Sequence, residues 1–159
     1  RALEAVRRLS GEISFVPVQL PLGEKAEFKG VIDLFAMQAR LGDGKQTAAI
    51  PADLQAAAEE ARVAVIEAAA EGDDTLLEKY LGGEELSAQE IARGFRAAVH
   101  GGRVVPVLAT AGTANTGILP LLDAILDLLP SPAEAPPVKA AGATGDVELA
   151  ASDAGPLAA

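Results

Sequence analysis

The chain has 159 residues, half of them apolar but only 3% aromatic, so any core must be packed from Ala, Leu, Val and Ile. A net charge of -10 excludes a DNA-binding surface, because neutralising duplex phosphates needs clustered Lys and Arg that are absent here, and it favours basic partners. With no cysteine there is no disulfide or thiolate-metal framework, and no apolar run approaches the ~20 residues that a membrane helix needs.

In chain order, "RALEAVRRLSG" places Leu3, Val6 and Leu9 on one helical face, with Gly11 as a stop. "SFVPVQLPLG" alternates apolar residues with Pro17 and Pro21, each of which removes a ladder donor, and so predicts one edge strand. Two further strands are expected over Phe28–Leu34 and Ala36–Leu41, closed by the Gly42-Asp43-Gly44 turn. Connections this short predict a small, mostly antiparallel meander.

From Pro51 the composition turns helical. Leu54, Ala58, Ala61, Val65 and Ala68 form the expected buried stripe, while Glu60, Glu67 and Glu71 line up on another face with the small Ala56 and Ala64 between them. A short helix capped by Asp73 or Asp74 follows, ended by Gly82-Gly83. Ser87 and Glu90 then form a capping box for a helix carrying Ile91, Phe95 and Val99. "RVVPVLAT" has the continuous apolar pattern of a strand buried on both faces. The turn "TAGTANTG" leads into a final helix over Ile118–Leu129 with Leu119, Leu122, Ile125, Leu126 and Leu129 apolar. Past Pro132 the sequence reads as a linker or as the truncated beginning of something else.

The segments "IPADL", "LLEKYLGGEELSAQEI", "VVPVL", "NTGI" and "LPLLDAILDLLPSP" together resemble elongation factor G, the translational GTPase of ribosomal translocation. The resemblance runs from Arg1 to about Pro132. It implies an α/β fold: the last helix, strand and helix of a P-loop GTPase domain enclosing an inserted α+β subdomain, then a flexible tail. Residues 1–11 would be a helix of the GTPase domain, 12–102 the inserted subdomain, 103–132 the final strand, guanine-contact turn and helix, and 133–159 a linker or the start of a next domain.

In that family the turn usually reads "GSA" before "N-x-G"; here the positions are Thr110, Ala111 and Gly112, followed by Asn115 and Gly117. The turn's task is to point a backbone N–H at the guanine carbonyl oxygen, which Gly can still do. The bracing hydroxyl of the family's Ser is lost at Ala111, with Thr110 or Thr113 as candidate substitutes. The sequence has no G-x-x-x-x-G-K-[ST] loop, no "D-x-x-G" switch in a suitable context and no "NKxD" before the turn. The chain alone is therefore expected to hydrolyse no GTP, and GTP or GDP with its Mg²⁺ would belong to a longer parent. No catalytic residue and no metal ligand set is expected: His100, the single histidine, reads as solvent-facing in a loop.

Between Asp53 and Glu90 there are eleven acidic residues against Arg62 and Lys79, a field able to steer a basic partner. The resemblance implies that Glu67 and Glu71, with Glu60 added from helical spacing, dock the C-terminal domain of the ribosomal stalk protein L7/L12 in the cytoplasm. The alternative is a non-catalytic acidic interaction module, or a paralogue not active in translocation.

Overall fold

A computed structural model describes residues 5, 13–134, 137–142 and 145–152. The helix expected over Arg1–Gly11 lies outside them, Ala5 apart. The chain divides into two compact units, residues 1–129 and 130–159. The fold is mixed α/β, with both parallel and antiparallel pairing.

In the first unit, β1 (Ser14–Pro17) pairs in parallel with β6 (Val104–Val107), Ser14 opposite Val104 and Pro17 opposite Val107. The strands β2 (Gln19–Leu22), β3 (Gly30–Asp33), β4 (Gln38–Leu41) and β5 (Gln46–Ala48) form an antiparallel meander in chain order. The single edge strand expected from "SFVPVQLPLG" is thus two strands in two sheets. Val18 is the joint between them: its N–H donates to Val107 O and its carbonyl accepts from Leu34 N, both at 3.1 Å. Pro17 and Pro21 produce this division. Pro17 ends β1, and Pro21 is tolerated because β2 is the edge of its sheet. Although residue 12 was the expected start of the inserted subdomain, the hydrogen bonds of Ser14–Pro17 tie β1 to β6 and not to the meander.

Four helices follow the expected order: α1 (Ala52–Ala70), α2 (Asp74–Leu81), α3 (Ala88–His100) and α4 (Ile118–Leu128). The predicted stripe on α1 faces inward, with Ala58, Val65 and Ala68 buried and Leu54 and Ala61 packed at the margin. One core joins Val16 and Val104 of the parallel pair to Ile32, Leu34, Phe95 and Leu128. Arg62 ties α1 to the end of β3, its Nη1 donating to Leu34 O at 3.0 Å and Phe35 O at 2.9 Å.

Of the two candidate caps for α2, Asp73 is the one used: its Oδ1 accepts from Thr75 N and Leu76 N. The capping box of α3 is complete. Ser87 Oγ accepts from Glu90 N, and Glu90 Oε2 accepts from Ser87 N at 2.7 Å. Lys79 Nζ reaches across from α2 to Glu90 Oε1 at 2.8 Å. The Lys79 ammonium foremost, then the Ser87 amide and hydroxyl, hold the Glu90 carboxyl at about 2, below its ordinary 4.5. A depressed carboxylate stabilises the fold above its unfolded value and loses that contribution as pH falls through its folded value. The parent chain should therefore lose stability between about pH 4.5 and about 2. Denaturant melts of Glu90→Gln should show a flatter pH dependence over that window, and equal slopes for parent and variant would refute the assignment.

One expectation about burial is corrected, and one apolar face is left open. β6 is not buried on both faces: Val104 is buried, but Val105 is 39% exposed, and among the described residues its sheet has two strands. On α4, Leu122, Ile125, Leu126 and Leu129 form one apolar face that is exposed, Leu126 by 77%, while Pro120 and Leu128 point into the protein. Past Pro130 the described residues form an antiparallel hairpin, β7 (Val138–Gly142) with β8 (Gly145–Leu149). Among the described residues no helix is long and apolar enough to cross a membrane.

Candidate functional site

The turn after β6 is closed at its base by a pair of backbone bonds between Ala111 and Thr116, N···O 3.0 and 3.1 Å. Inside this pair, Gly112–Ala114 make a single 3-10 turn, and Asn115 adopts the left-handed conformation at φ 52°, a geometry its short amide side chain tolerates. Gly117 is also left-handed, at φ 72°, and a Cβ there would meet Ala109 O at 2.9 Å. Glycine is required at that position on both counts.

The expected contact residues separate in this arrangement. The Ala111 N–H is consumed by Thr116 O, so it cannot also serve a ligand in this conformation. Gly112 is exposed, and its N–H has no partner among the described residues. Thr110 lies on the wall of an open cleft of about 570 Å³, together with Lys25, Phe28 and Leu108, at the carboxyl end of β6. The loop is braced by neither Thr110 nor Thr113. The hydroxyl that does so belongs to Thr116, which is buried and donates to Ala114 O at 3.4 Å. Its position beside the left-handed Asn115 and Gly117 is the signal that sequence reasoning passed over.

The Gly42-Asp43-Gly44 turn, read only as a hairpin end, has a second task. Gly42 O accepts from Gly117 N at 2.8 Å and Asp43 O accepts from Leu119 N at 3.0 Å, so the hairpin carbonyls satisfy first-turn amides of α4. These donors are therefore not free to cradle an anion. The hairpin tip is itself locked by Lys45. The Lys45 backbone N–H, then burial and the Lys45 ammonium, act on Asp43, with the net effect of lowering its pKa.

On α1, Glu60, Glu67 and Glu71 are all exposed, and none of their carboxylates has a hydrogen-bond or ion-pair partner among the described residues. The two nearby cations are committed elsewhere, Arg62 to the β3 carbonyls and Lys79 to Glu90. Helical spacing puts Val63, 47% exposed, on the flank of the same stripe, a residue the acidic pattern did not flag. Glu71 stands at the C-cap of α1 with Glu67 one turn before it, and the last turn carries no base. Both charges oppose the helix macrodipole, so the arrangement costs helix stability. His100 is exposed as expected, but it closes α3 and is not in a loop.

No family model matches the chain. Its structure is similar to the crystal structure of ttk003000868 from Thermus thermophilus, with a TM-score of 0.72 and 30% sequence identity. The match covers 92% of this chain and 27% of that one, so the chain spans about a quarter of the length of the protein it matches.

Proposed function

We propose that this chain is the part of an elongation factor G-like translational GTPase that closes the guanine pocket and docks the ribosomal stalk, in the cytoplasm. The observation that carries the reading is the parallel β1–β6 pair, whose second strand delivers a braced turn with an open Gly112 amide at its carboxyl end. In α/β folds that end of a parallel strand is where nucleotides are held. The uncovered side of β6 and the apolar face of α4 are the surfaces on which further strands and helices of a longer parent would pack.

The residues of this turn suit a contact to the base and nothing more. Gly112 can donate to a guanine carbonyl oxygen, whereas a phosphate loop is absent from the sequence and the Gly117 and Leu119 amides at the start of α4 are occupied by Gly42 and Asp43. GTP or GDP, Mg²⁺ and hydrolysis belong in this reading to the parent.

Stalk docking rests on the unpartnered Glu60, Glu67 and Glu71, the last two of which keep acidic charge at a helix end where stability would favour bases. The test is a titration of the L7/L12 C-terminal domain into the parent chain and into the Glu67→Lys/Glu71→Lys variant, at low and moderate salt. Exposed ion pairs contribute about 0.2–1 kcal/mol each, so the double reversal should weaken binding roughly two- to thirtyfold at low salt. The difference should shrink as salt rises. Because lysines at the end of α1 suit its dipole, the variant should melt no earlier than the parent. Equal affinities at low salt would return the stripe to a solvated helix face.

A further inference from the structure

The cleft of about 570 Å³ at the carboxyl end of β6 has a second wall, which β6 and its turn do not supply. Beyond β1 and Val18 the chain continues into β2, and the loop from β2 to β3 borders the same space as Leu108, Ala109 and Thr110. Glu24, Lys25 and Phe28 of that loop line the cleft.

The loop is held tightly by its own backbone. Lys29 N donates to Leu22 O at 2.8 Å and closes its base, while Glu27 N and Phe28 N donate to Glu24 O and Lys25 O at 2.9 and 3.3 Å. Gly23 is left-handed at φ 88°, and a Cβ there would collide with the carbonyl oxygen of Glu27. Lys25 is left-handed too, at φ 52°, a conformation that is costly for a residue with a Cβ and that clusters at ligand clamps. Glycine would relieve the cost, yet the position carries a long cation. Lys25 is exposed and has no ion pair among the described residues; the neighbouring Glu27 carboxylate is taken by Lys29 at 3.1 Å. Phe28 is half-buried and keeps surface open to the cleft.

An aromatic ring, a carboxylate and an unpaired ammonium on one rigid loop match the three parts of a nucleotide: a base that stacks, ribose hydroxyls that donate and a phosphate that is anionic. A bare anion would have no use for Phe28, and an apolar ligand none for Lys25. The volume falls within the roughly 300–1,000 Å³ of small-molecule sites. We propose that the β2–β3 loop is the second wall of a nucleotide site, in which Phe28 lies against the base, Glu24 accepts from the ribose and Lys25 meets the phosphate. The site extends the Gly112 contact proposed above and rests on it for the identity of the base.

The probes are guanosine and guanosine 5′-monophosphate, titrated at low salt into the ¹⁵N-labelled chain and followed by amide shifts. Both should shift Lys25, Phe28 and Gly112 together, and the monophosphate should bind on the order of fivefold more tightly, an advantage that fades as salt rises. Lys25→Gln should erase that advantage and leave guanosine binding unchanged, whereas Phe28→Leu should weaken both ligands. Lys25→Gly should lose the advantage as well and melt no earlier than the parent, because it removes the left-handed cost. Equal affinities for the two probes, an equal loss of both in Lys25→Gln, or shifts at Gly112 with none at Lys25 and Phe28 would overturn the proposal and leave the base contact standing. Shifts at Lys25 and Phe28 without Gly112, with adenosine 5′-monophosphate bound as tightly, would overturn the Gly112 contact while the loop still holds a nucleotide. An absence of saturating shifts would overturn both.

Discussion

Replacing Gly94 by alanine should destabilise the chain by about 2–4 kcal/mol, although the same change in an exposed helix interior would stabilise it by up to ~1 kcal/mol. The sign reverses because α1 and α3 meet backbone to backbone at this point. A Cβ on Gly94 would collide with the carbonyl oxygen of Ala69 and lie 2.7 Å from Leu76 Cδ1. The contact is reciprocal, since a Cβ on Gly72 would strike the carbonyl oxygen of Gly94. Neither obstacle is the free end of a flexible side chain: one is main chain, and Leu76 is almost completely buried. Relief would require the two helices to separate, and that would open the core around Phe95. Urea melts of Gly94→Ala against the parent measure the effect, and a midpoint equal to or above the parent's would show that the helices have room to spare.

Phe95→Ala should cost about 3–5 kcal/mol, the usual range for removing a fully buried phenylalanine. Phe95 has no exposed surface and meets Phe35 edge to face, with centroids 5.2 Å apart and planes at 86°. In a chain with four phenylalanines and no tryptophan, this pair is an aromatic centre for an otherwise aliphatic core. A double-mutant cycle with Phe35→Leu should return a coupling of about 0.5–1.5 kcal/mol beyond the loss of buried area. Unchanged denaturation of Phe95→Ala would mean that the core does not close around this ring.

The two predictions share a physical origin in composition. A chain so rich in alanine and glycine lets helices approach closely, and close approach makes each added or removed atom expensive. The surface follows a different logic. Glu67 and Glu71 are placed where they cost helix stability, and neither they nor Glu60 have a partner among the described residues, whereas Lys79 and Glu90 are placed where they join two helices. Only the first arrangement leaves charge free to act on another molecule.

Sequence alone determined the elements governed by neighbouring residues. The Ser87–Glu90 box, the inward stripe of α1, the outward glutamates and the β3–β4 hairpin all depend on contacts within a few positions, and periodicity and capping chemistry suffice to read them, whereas β5 carried no such signal. Tertiary structure decided whatever depended on a partner distant in the chain. "SFVPVQLPLG" could not announce that its first half pairs with Val104–Val107, because parallel pairing leaves no mark in either strand's own sequence. Val105 reads as core because its strand is continuously apolar, yet burial requires a neighbour packed on that side, and Val105 remains 39% exposed. The use of the Gly117 and Leu119 amides by the carbonyls of Gly42 and Asp43 arises from three-dimensional proximity that no local pattern encodes.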